Sequence, residues 1–140
     1  MSIQFFFIET AIKLKERKRL KVFLGELFNH YSKQYASLTV VFCTDEYLLG
    51  INKQFLAHDY YTDIITFNLA VAREPIEGEI YISVDRVKDN AVTHKVSNNE
   101  ELHRIIFHGV LHLCGLKDKA AKHKAEMTRA EDVCLSKYFH

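Results

Sequence analysis

His108 and His112 stand four residues apart in the apolar run HGVLHLCGL, with Gly115 and Asp118 just beyond. Four helical residues advance about 400°, so both imidazoles project from one face, about 40° apart and one turn along. At that spacing both reach a single ion. A buried neutral imidazole needs a hydrogen-bond partner, and a shared metal satisfies two at once. A third ligand must come from elsewhere; a chain reversal just past the helix supplies it readily, and Gly115 tolerates the positive φ such a reversal requires. Asp118 is the first candidate, in the pattern H-x3-H-x2-G-x2-D, and His123 is the alternative. Two imidazoles and one carboxylate leave an open position for water, the arrangement of a catalytic zinc rather than a structural one. The expected cofactor is one zinc per chain. The carboxylate weakens the ion as a Lewis acid, so another divalent metal is admitted more readily. His108 and His112 then count as catalytic through the metal and its water, whose pKa falls to about 7 on zinc.

Gly109 occupies the slot where an HExxH metalloprotease carries its glutamate, so peptide hydrolysis by that route lacks its proton acceptor. The expectation is that Gly109 opens space beside the ion and admits a substrate phosphate, with the metal polarising a phosphoryl oxygen. His103 lies about 140° round the helix from His108 and faces elsewhere. Cys114, about 200° from His112, reads as a small core residue.

These residues need a rigid helix, and the sequence supplies one. Ser97-Asn98-Asn99-Glu100 has capping-box form and opens a helix from 98 to about 114. Leu102, Ile105, Ile106, Val110, Leu111 and Leu113 cover most of its circumference, so it is central to the fold. Gly115 ends it as a left-handed cap. Upstream, residues 3 to 8 and 38 to 44 are β-prone runs that flank an amphipathic helix over roughly 16 to 34. Thr44 or Asp45 caps a second helix carrying Leu48, Leu49, Ile51, Asn52 and Phe55. Residues 64 to 69 and EIYISV form two strands, joined as a hairpin across 70 to 78 with Pro75 and Gly78 in the turn. A short helix over 85 to 95 and a last helix from about 120 to 138 complete the pattern. The fold class is α+β: a sheet of about four strands packed with about five helices, one domain over 1–140.

The bulk properties agree. Hydrophobic residues make up 48% and charged residues 26%, the balance of a soluble globular chain, and no apolar run is long enough to span a membrane. Net charge is +1, so any nucleic-acid contact is local rather than a property of the whole surface. The basic run KLKERKRLK, Lys13 to Lys21, reads as a solvated helix start. The N-terminal segment has its apolar cluster before its basic one, the reverse of a secretory signal. Cys43, Cys114 and Cys134 make no disulfide framework, so the cytoplasm is the expected compartment.

HGVLHLCGLKD resembles the HGxLHLxGxDH signature of the YbeY family of rRNA-maturation endoribonucleases. INKQFLAHDYYTDIITF, 51 to 67, resembles that family's LN-x3-R-x2-D-x-PTDVLSF segment, and EGEIYIS, 77 to 83, its GDIxIS strand. The resemblance implies a mixed-sheet, zincin-like fold and a bound zinc. It also implies a single-strand-specific endoribonuclease that matures the 3′ end of small-subunit (16S) rRNA, with a part in ribosome quality control. Single-stranded RNA, rRNA and the small ribosomal subunit are the implied partners. By position, the family's first two metal histidines are His108 and His112, and its third falls on Asp118. The family arginine falls on Leu56, so its charge is missing. Lys53 and His58 flank that place and are the candidates for RNA contact. Two other functions share the motif: a zincin-like metallohydrolase of peptides or small molecules, and a ribosome-associated binding protein with a structural metal.

Overall fold

The computed structural model describes residues 1–140. Its elements are β1 (Ser2–Phe7), α1 (Arg17–His30), β2 (Tyr35–Cys43), α2 (Asp45–Leu56), β3 (Ile64–Asn68), β4 (Ile76–Ser83), α3 (Val84–His94), α4 (Asn98–Leu113) and α5 (Ala121–Phe139). The four strands form one mixed sheet in the order β1-β2-β4-β3. β1, β2 and β4 run parallel, and β3 pairs antiparallel with β4 as the expected hairpin. The α+β class, the five helices and the central place of α4 are as the sequence predicts. No helix is long and apolar enough to cross a membrane.

Strand alternation divides the core. Leu38, Val40 and Phe42 of β2, with Ile80 and Ile82 of β4, enter one large cluster with the buried stripes of α1 and α4. On the other face Cys43 and Ile65 meet Leu48 of α2 in a small cluster. α4 contacts α1, α3, α5, β3 and β4, so its polar residues are held from several sides.

Three local differences have physical reasons. α1 stops at His30 rather than near 34 because Ser32 adopts φ 57°. The Lys33 N–H then donates to Phe28 O, and the Ser32 N–H to Asn29 O, a Schellman ending without glycine. β2 accordingly begins early, at Tyr35, whose ring stacks on Phe28 with centroids 4.6 Å apart. Gly78 lies inside β4, paired with Leu38 and Asn68, not in the hairpin turn. A Cβ there would stand 2.7 Å from Leu113 Cδ1, so this glycine lets the end of α4 approach the sheet. The reversal is made instead by residues 69 to 75, where the Asn68 side-chain oxygen accepts from the N–H groups of Ala70 and Glu77.

The basic run straddles the start of α1: Lys13 and Lys15 precede the helix and Lys18 lies in its first turn, all three exposed. The Arg17 guanidinium lies 4.9 Å from the centre of the Phe7 ring, which ties part of the run to β1.

Candidate metal and RNA site

α4 starts where expected: the Ser97 hydroxyl accepts from the Glu100 N–H at 3.0 Å. It ends in a Schellman motif. The Leu116 N–H donates to Leu111 O, the Gly115 N–H donates to His112 O, and Gly115 has φ 105°. This ending turns the chain back along the helix and brings Asp118 to His108, with His108 Nε2 3.3 Å from Asp118 Oδ2.

His108, His112 and Asp118 line one cavity of about 580 Å³. Its other walls come from the end of α2, the loop into β3, α3 and α5. His123, on the first turn of α5, is outside the lining. No three His, Cys, Asp or Glu side chains, as placed, close around a common point. The donor chemistry nevertheless suits a divalent ion. Two zinc ligands at about 2.0–2.1 Å in a tetrahedron stand roughly 3.3 Å from each other, the separation of His108 Nε2 and Asp118 Oδ2. That distance is longer than an ordinary N–H···O hydrogen bond. His112, one turn on, is exposed on the same wall.

The second nitrogen of His108 is also engaged. Nδ1 lies 2.6 Å from Glu131 Oε2, and the other oxygen of Glu131 accepts from Arg104 Nη1 at 3.0 Å. Arg104 Nη2 donates to Asp132 at 2.6 Å. Burial works to lower the His108 pKa. The hydrogen bond and charge of Glu131, with the charges of Asp118 and Asp63, outweigh it, and the net shift is upward. Burial likewise opposes the charge of Arg104, and Asp132 and Glu131 more than restore it.

Gly109 departs from expectation. A Cβ at this position would point into the sheet, 2.8 Å from Ile80 Cδ1 and 3.0 Å from Ile64 Cδ1. The glycine permits close seating of α4 on β3 and β4; it does not open space beside His108. His103 does face elsewhere: it is buried, donates from Nδ1 to Asn99 O at 2.7 Å, and stacks on Tyr138. Cys114 is a core residue.

Of the residues flanking Leu56, His58 lines the cavity and stacks on Tyr60, with ring centroids 5.0 Å apart. Lys53 does not line it; its ammonium pairs with Asp59 at 3.3 Å. Leu56 itself lies on the rim, 39% exposed. Thr62 donates weakly to Ile64 O at 3.5 Å, a local contact. Asp63 does more: its carboxylate accepts from Asn90 of α3 at 3.4 Å and faces the cavity.

Sequence reasoning missed Glu131, Arg104 and the cavity role of Asp63. For Glu131 a signal was present. It stands four residues from both Met127 and Leu135 on the buried stripe of α5, where an unpaired carboxylate would be costly.

A family model described as endoribonuclease YbeY matches residues 8–139. The chain is 45% identical over 135 residues to the endoribonuclease YbeY of Cytophaga hutchinsonii, covering 96% of this chain and 94% of that one. It is 41% identical over 133 residues to that of Porphyromonas gingivalis, covering 95% and 87%. A solution structure of a Thermotoga maritima protein shares the fold, with TM-score 0.63 at 23% identity, covering 98% of this chain and 89% of that one. The fold, the histidine helix and these near-full-length matches lead to one conclusion: the chain belongs to the endoribonuclease YbeY family.

Proposed function

We propose that this chain is a metal-dependent endoribonuclease of single-stranded RNA, acting in the cytoplasm in rRNA maturation and ribosome quality control. Its substrate would be the 3′ region of small-subunit rRNA on the ribosomal subunit. The observation that carries the reading is the pairing of His108 Nε2 with Asp118 Oδ2 at a ligand–ligand distance, in a cavity that His112 also lines. His108, His112 and Asp118 would hold the ion, zinc in the first instance. When bound, the ion supplies Lewis-acid polarisation of a phosphoryl oxygen and activation of water.

The chain's own residues do the rest. Arg104 and Lys119 bring positive charge to a cavity that also holds Asp63, Asp118 and Glu131, so a phosphate meets both signs there. The stacked His58–Tyr60 pair stands at the rim, and its exposed aromatic surface suits an unpaired base. A duplex keeps its bases stacked inside and cannot use that surface, which supports single-strand preference.

The test is cleavage of a labelled single-stranded RNA and of its duplex form, with chelator and then with zinc or manganese restored. The expected result is cleavage of the single strand only, lost on chelation, restored by metal, and absent in His108→Ala. A 2′-deoxy substitution at the cleaved position then identifies the nucleophile: cleavage that survives it comes from water. Metal-independent cleavage by folded His108→Ala protein would defeat the reading.

A further inference from the structure

We propose that Glu131 is the positioning residue of the site. Its carboxylate accepts a hydrogen bond from the Nδ1–H of His108, fixes the ring and tautomer, and leaves the Nε2 lone pair facing Asp118 and the cavity. This rests on the reading of the cavity as a metal site.

An ionised carboxylate can only accept, so the 2.6 Å contact places the proton on His108 Nδ1. The neutral ring then carries its lone pair on Nε2, the nitrogen 3.3 Å from Asp118. Without an anchor, the ring could turn about its Cβ–Cγ bond and present either nitrogen. Glu131 is itself held. It is 7% exposed, and its second oxygen accepts from Arg104, whose other arm is taken by Asp132. Arg104 stands one turn before His108 on α4, while Glu131 and Asp132 are neighbours on α5. The chain Arg104–Glu131–His108 thus fixes the imidazole from a second helix, with Asp132 an exposed partner outside it. Outer partners of this kind set tautomer and orientation in metal sites.

Two measurements test the proposal. Long-range proton–nitrogen NMR on the metal-free protein, at a pH where the ring is neutral, reads the His108 tautomer directly. The expected result is an Nδ1–H tautomer in the wild type, depleted in Glu131→Gln. Zinc affinity by chelator competition should fall about 10–100-fold in Glu131→Gln. It should stay within about twofold of wild type in Asp132→Asn, which breaks the outer pair and leaves the His108 contact. An Nε2–H tautomer in the wild type overturns the proposal whether or not Glu131→Gln folds. So does unchanged zinc affinity in folded Glu131→Gln. A wild type with the Nδ1–H tautomer but no zinc binding would defeat the metal reading and leave the positioning role standing.

Discussion

His108 on α4 and Glu131 on α5 meet at 2.6 Å although 23 residues separate them in sequence. Glu131 also holds Arg104, so the same contact that orients the histidine joins the two helices. Stability and site geometry are therefore linked at this point. Arg104→Ala leaves the buried Glu131 carboxylate with His108 alone, and loss of a charge-assisted hydrogen bond of this kind costs about 1.5–3 kcal/mol. Asp132 is 58% exposed, and a surface pair contributes at most about 1 kcal/mol. Urea unfolding should therefore show a large loss for Arg104→Ala and a small one for Asp132→Asn.

Gly109, where α4 meets the sheet, gives a second prediction. Glycine within a helix usually costs about 0.5–1 kcal/mol against alanine, yet at position 109 alanine should destabilise. Its Cβ meets Ile80 at both Cδ1 and Cγ2, and Ile80 is fully buried. Overpacking of this kind costs about 1–3 kcal/mol. Gly109→Ala should lower the urea midpoint, and Gly109→Glu, which restores a protease-like motif, should lower it further without creating peptidase activity.

Gly115 differs, because a side chain there meets open space. Its constraint is φ 105°. Alanine should cost about 1–2 kcal/mol through backbone strain. Since this turn returns Asp118 to His108, zinc affinity should fall in the same variant. Calorimetric zinc titration of Gly115→Ala, compared with its urea curve, reads both effects.

His103 supplies a pH prediction. Burial lowers its pKa from 6.5, partly offset by its bond to Asn99 O. The folded state thus binds this proton less readily than the unfolded chain. The stabilising contribution is complete above pH 6.5 and is lost as pH falls from there through the lower folded value. His103→Phe keeps an aromatic ring against Tyr138 and removes the titration. Between about pH 7.5 and 5, the melting temperature of the wild type should fall more steeply than that of His103→Phe.

Much of this was legible in the sequence. Regular spacing showed α4, the Ser97 cap and the Gly115 ending, because each is a local rule about backbone hydrogen bonds. Leu38–Thr44 and Glu79–Val84 read as strands from β-branched composition and alternation. The proximity of Asp118 to His108 followed from the same turn. Other features depend on tertiary approach and carry little local trace. Gly78 and Gly109 look like a turn and an opened site until Leu113, Ile80 and Ile64 are brought against them. Asp63 looks like a loop-end residue until α3 offers Asn90. Glu131 is distant in sequence from the histidine it holds, and only its place on an apolar stripe marks it.

The central claim is that His108, His112 and Asp118 form a metal site. Elemental analysis of zinc bound after dialysis, on wild type, Asp118→Ala and His123→Ala, tests it most directly. One zinc per wild-type chain is expected, with loss in Asp118→Ala and retention in His123→Ala. A wild type without metal, or loss confined to His123→Ala, would contradict it.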